Sequence, residues 1–186
     1  MDDEFDGASL NSTNNIWTWT NQSTSTETQS NGFAVITSQT NGSSHVARFI
    51  GQTLPSAPYG FTSKFTFNEG QTNFGFGGII LFEVATSKYL VWGYAYNGGS
   101  ILSLVSNAGT QLVTAGVAAY PQGYFRVSRA STTLTFWFSP DGVTWNNIFS
   151  EAITAHFTTA PDTIGLGNDS YSQVCILDVD YFRRTQ

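Results

Sequence analysis

Thirteen acidic side chains are available to this 186-residue chain for proton transfer or metal binding, and their spacing limits what they could do. Asp178-Val179-Asp180 sets two carboxylates on one face of a strand, since side chains alternate with period two. Glu69 and Glu83 stand alone. Asp2, Asp3, Glu4 and Asp6 crowd the first six residues. Calcium favours several carboxylate and carbonyl oxygens, so this acidic head could serve as a structural Ca2+ site, although no EF-hand spacing is present. A solvated acidic terminus is the alternative. His45 and His156 fall in separate segments without a neighbouring acid, which suggests neither a zinc site nor a catalytic triad. The single cysteine, Cys175, lies between Val174 and Ile176, the setting of a buried thiol and not of a reactive thiolate.

Aromatic rings offer a second kind of chemistry. Flat rings can cover the apolar face of a pyranose while amides and charged groups bond its hydroxyls. Along Tyr89–Tyr96, alternation puts Leu90, Trp92, Tyr94 and Tyr96 on one face, with Asn97 at the rim. The smaller set Val91, Gly93 and Ala95, with Tyr89, is expected to pack inward. Trp137 is out of phase with Phe136 and Phe138, and Arg126 with Phe125 and Val127, so both are expected to point away from the core. Trp92, Tyr94, Tyr96, Asn97, Arg126 and Trp137 are therefore the candidate carbohydrate-binding residues. Core packing and an oligomer contact compete for the same rings, because 15% of the chain is aromatic.

The elements that would position these groups are strands. Tyr124–Arg129 and Leu134–Ser139 alternate apolar and polar residues about a short polar connection, as an antiparallel hairpin does. Ser139-Pro140-Asp141-Gly142 then turns the chain back towards Trp145. Similar short runs and turn signals recur along the chain, giving thirteen expected strands and no convincing helical period. The fold class is an all-β, two-sheet antiparallel jelly-roll sandwich, with residues 1–186 as a single domain. Phe61, Phe65 and Phe67 should share a core face, as should Cys175, Leu177, Val179 and Tyr181.

A net charge of −6 argues against a nucleic-acid partner, which requires clustered Lys and Arg. No apolar run is long enough for a membrane-spanning helix, so no membrane insertion is expected. The first residues carry no signal-peptide pattern, while the Lys-poor, Thr- and Asn-rich composition suits an extracellular or virion surface.

Asp3-Glu4-Phe5-Asp6-Gly7, Trp17-Thr18-Trp19, the Phe125–Trp145 hairpin and turn, and Leu177–Phe182 together resemble the concanavalin A-like lectin/glucanase superfamily. The resemblance implies a jelly roll whose first strand lies beside the last, bringing Asp178 and Asp180 towards Asp3 and Asp6 as a possible calcium set. Its glucanases would imply a Glu-x-Asp-x-Glu strand, which this sequence lacks. The expectation is therefore a non-enzymatic lectin-like surface module. It would be a bacteriophage decoration, cement or fibre component with a glycan-binding role, associating with itself and with other virion or cell-surface proteins. A carbohydrate-binding module of a secreted glycoside hydrolase and a divergent glucanase are the alternatives.

Overall fold

A computed structural model gives the fold and describes residues 3–7, 10, 17–42, 44–69, 75–96, 100–107, 109–115 and 122–185. Among the described residues the alternating runs become two antiparallel sheets of seven strands each. The first sheet runs β12 (Asn146–Ala152), β11 (Thr133–Ser139), β10 (Gln122–Ala130), β5 (Tyr59–Glu69), β14 (Cys175–Arg184), β3 (Phe33–Ser38) and β2 (Thr26–Ser30). The second runs β1 (Thr18–Thr20), β4 (Ala47–Thr53), β13 (Thr163–Asp169), β6 (Phe76–Glu83), β7 (Lys88–Tyr96), β8 (Ser100–Ser106) and β9 (Gln111–Ala115). One short 3-10 turn, Ile153–Ala155, interrupts the β pattern. The chain start does reach the last strand, through an isolated bridge between Asp3 and Phe182.

The core between the sheets is built from rings contributed by both. Phe65 stacks on Phe125 at 4.3 Å between centroids, and Trp92 meets Phe125 edge-on at 5.6 Å. Such geometries suit the ring quadrupoles and add to the gain from burying large apolar area. As expected, Phe61, Phe65 and Phe67 are buried together, and so are Cys175, Leu177 and Val179. Tyr181 departs from that series. A β-bulge between Val179 and Tyr181 shifts the register, so Phe182 enters the core and Tyr181 turns outward.

The sequence reading also missed β2, a polar Thr-Glu-Thr-Gln-Ser edge strand without apolar alternation. Its hairpin partner is reached through Asn31-Gly32, both with positive φ (54° and 79°), the conformation that a type I′ turn requires.

The outer face of the second sheet is apolar as well. Phe49, Phe76, Ile80, Phe82, Val91 and Val105 form a second buried cluster there. Phe49 lies across Gly165, where a Cβ would come within 2.5 Å of the ring, so the absence of a side chain is what admits it. Pairing register puts Tyr89 beside Phe82 and Thr163, a strand-length from Asp169, yet the Tyr89 hydroxyl donates to Asp169 Oδ2 at 2.8 Å. The sheet must therefore coil strongly over its own outer face.

Candidate functional site

The open face of the first sheet is the side turned away from both clusters. Gln122, Tyr124, Arg126 and Ser128 alternate with the buried Phe125 and Val127 along β10, and Trp137 alternates with the buried Phe136 and Phe138 along β11. Register brings Arg126 directly opposite Trp137 on one side and Thr62 on the other. Arg126 Nε donates to Thr62 Oγ1 at 3.1 Å, and its guanidinium lies 3.8 Å from the centroid of the Trp145 ring. The Trp137 indole N–H donates to Ser128 Oγ at 3.2 Å. All three side chains remain half-exposed. Gly60 and Ser128 are small where their neighbours are large, and a hollow of about 300 Å³ opens between Gly60, Arg126, Ser128, Trp137 and Thr185.

Trp145 reaches this place through a tight turn. Asp141 Oδ1 accepts from Ser139 Oγ and from the backbone N–H groups of Val143 and Thr144, while Ser139 Oγ accepts from Gly142 N–H. The Thr144 and Val143 amides, with the Ser139 hydroxyl, hold the Asp141 carboxyl at about 2. Burial lowers the pKa of Arg126, against an opposing effect of Tyr181. The next row across the face carries Tyr124, Lys64 and Tyr181, with Lys64 Nζ paired to Asp180 Oδ2 at 2.6 Å. Beyond it lies a second hollow of about 390 Å³ lined by Phe33, Val35, Thr66, Gln122 and Asp178, among others.

Of the sequence candidates, Arg126 and Trp137 thus come together on the open face. Trp92 and Tyr94 require correction, since they are buried between the sheets at 1% and 2% exposure and present no platform. The reason is that β7 is buried on both sides, with its smaller residues filling the coiled outer face, so alternation could not say which side was open. Tyr96 is half-buried at the far end of that strand, and Asn97 lies outside the described residues. Trp145 was missed as a site residue, although the Pro140-Asp141-Gly142 turn that folds it back was legible.

The acids of the expected calcium set go to different partners. Asp3 accepts from the Phe5 amide and the Trp17 indole, Asp178 from Asn68, and Asp180 from Lys64, while Asp6 is exposed. Among the described residues no three metal-ligating side chains gather at one point. His45, by contrast, does meet an acid: its Nδ1 lies 3.0 Å from Asp169 Oδ2. That contact spans 124 positions and has no local sequence signal. Its other nitrogen packs against Gly109, where a Cβ would lie 2.2 Å away.

No family model matches the chain, and no curated protein matches it. Solved structures do. A functionally unknown protein from Saccharomyces cerevisiae superposes with a TM-score of 0.66 at 17% identity, covering 91% of this chain and 95% of that one. A Bacteroides ovatus protein described as xyloglucan PUL GH43B gives 0.74 at 14% identity, covering 98% of this chain. The chain spans only 38% of that protein's length. The CBM2 module of the evolved Dit of Lactobacillus casei BL23 phage J-1 gives 0.60 at 14% identity, covering 98% of this chain and 93% of the module. At such identities these likenesses speak for the fold, a two-sheet antiparallel β-sandwich consistent with a jelly roll. No described helix is long and apolar enough to cross a membrane.

Proposed function

We propose that the chain is a non-catalytic carbohydrate-binding module of concanavalin A-like type that works at an outer surface, as part of a bacteriophage particle. The observation that carries this reading is the grouping of Trp137, Trp145 and Arg126 on the open face of the first sheet, beside a hollow with small side chains at its edge. Half-exposed indoles stack on the apolar face of a sugar ring, and Arg126 supplies donors to the ring substituents. Two structural neighbours, the CBM2 module of a phage protein and the xyloglucan PUL GH43B protein, support a glycan ligand. The reading contains no bond-breaking step. Asp178 and Asp180 are engaged by Asn68 and Lys64 instead of facing each other across a cleft, unlike the opposed carboxylates of a retaining glycosidase. Display in several copies, through self-association on the particle, would turn weak single-site affinity into useful avidity.

The test is a glycan array followed by calorimetry on the strongest hit. Trp137→Ala is expected to weaken binding by about 1 kcal/mol or more, the scale of a lost aromatic stack, with the fold intact by circular dichroism. A folded wild-type protein that binds no saccharide would remove the reading.

A further inference from the structure

The basic residues of this acidic chain are unevenly placed. Lys64, Arg126, Arg129, Arg183 and Arg184 all lie on β5, β10 and β14, the three central strands of the first sheet, leaving only Arg48 and Lys88 for the second. Lys64 is answered by Asp180, and Arg183 by both oxygens of Glu4 at 2.6 Å. Arg126 is not. Among the described residues its Nε is bonded to Thr62, its flat face covers Trp145, and neither Nη group has a hydrogen-bond or ion-pair partner in the protein.

The hollow beside it is correspondingly one-sided. Gly60, Ser128, Trp137 and Thr185 complete its lining, with no carboxylate or amide among them. A site for neutral sugars pairs donors with carboxylate or amide acceptors, because each hydroxyl both gives and takes a hydrogen bond. Here the charged donor has hydroxyls beside it and no anion. A guanidinium fixed through Nε and by stacking, with its outer edge free, presents a fork that matches an oxyanion in two parallel bonds.

We infer that the Arg126 hollow takes an acidic saccharide, holding a carboxylate or sulfate substituent on the Arg126 fork while Trp137 covers the adjoining ring. This rests on the glycan reading above and narrows it to anionic ligands. The charge distribution agrees with it: in a chain of net charge −6, register places Lys64, Arg126 and Arg183 on this face, and Arg126 is the one of the three that no carboxylate among the described residues answers.

The experiment compares calorimetric affinities for three probes: an oligogalacturonate, its carboxyl-reduced neutral counterpart, and a sulfated galacto-oligosaccharide. The variants are Arg126→Gln and Arg126→Lys. The inference expects at least one acidic probe to bind about tenfold or more tighter than the neutral one. That advantage should shrink in high salt, vanish in Arg126→Gln and survive in part in Arg126→Lys, which keeps the charge without the fork. The two acidic arms identify which oxyanion is taken. If Arg126→Gln melts early, the Arg126→Lys loss and the salt dependence decide. Equal binding of neutral and acidic probes, unchanged by either variant, would overturn the anion assignment and leave the glycan reading standing. Binding of no saccharide by the folded protein would overturn both.

Discussion

Tyr94 shows how a side chain can look like a ligand platform and serve as packing. Its ring meets Phe125 edge-on at 4.9 Å in the core, and its hydroxyl lies where a Cβ on Gly123 would come within 2.6 Å. That hydroxyl has no hydrogen-bond partner among the described residues. Burial alone pushes the phenol well above its usual range. A buried polar atom without a partner costs free energy that an apolar isostere avoids. Tyr94→Phe is therefore expected to raise stability by about 1 kcal/mol in urea unfolding, with glycan affinity unchanged. A loss of affinity would return Tyr94 to the site. At this scale the sequence separated Arg126 and Trp137 correctly, because β10 and β11 have one wet face and phase relative to Phe125 and Phe136 is informative. It failed for Trp92 and Tyr94, because β7 is dry on both faces.

Two acids matter for how elements are joined. Glu83, at the end of β6, accepts from Thr86 Oγ1, from the amides of Thr158 and Thr159, and from Thr159 Oγ1, tying the β6–β7 turn to the segment after the 3-10 turn. Burial would raise its carboxyl, but these hydrogen bonds win and bring it down to about 2. Asp141 is held at about 2 by the turn before Trp145. Folded pKa values below the unfolded values of about 4 mean that both groups stabilise fully above about pH 4.5. That stabilisation is lost as pH falls through the unfolded values towards 2. Melting temperature should thus hold steady from pH 7 to 5 and fall below it. Glu83→Gln and Asp141→Ala should each lie below wild type at pH 7 and converge on it near pH 2. Asp141→Ala should also shift the Trp145 fluorescence, since the turn sets that ring on Arg126. A constant gap at all pH values would show that neither carboxylate carries the linkage. Turns of this kind were readable, because Pro-Asp-Gly and Asn-Gly have narrow backbone demands. The bulge in β14 was not, since nothing in Asp178-Val179-Asp180-Tyr181 marks an extra residue.

Over the whole molecule, the least legible feature is the coil of the second sheet. Alternation along Tyr89–Tyr96 was read as one inward and one outward face, whereas β7 is buried from Tyr89 to Ala95 and every residue of β6 is buried. What closes the outer face is a long-range cluster: Asp169, fully buried, accepts from Tyr89 Oη and Val46 N–H and meets His45, whose ring stacks on Tyr171 at 4.5 Å and abuts Gly109. These residues come from four stretches of chain, so only folding brings them together. Asp169→Ala would leave the Val46 amide without its acceptor and the buried Tyr89 phenol with only the Asn107 carbonyl at 3.5 Å, at a cost of about 2 kcal/mol. The damage should be local. Amide hydrogen exchange is expected to quicken in β4, β7 and β13, and the dye ANS to bind the uncovered apolar face, while β5, β10 and β14 keep their protection. Tyr89→Phe, which removes one bond and leaves the carboxylate its other partners, should show the same pattern more weakly. Because the Arg126 hollow lies on the opposite sheet, saccharide affinity should persist in both variants at temperatures where they remain folded. Uniform loss of protection across both sheets would mean that the cluster supports the sandwich as a whole and not the coil alone.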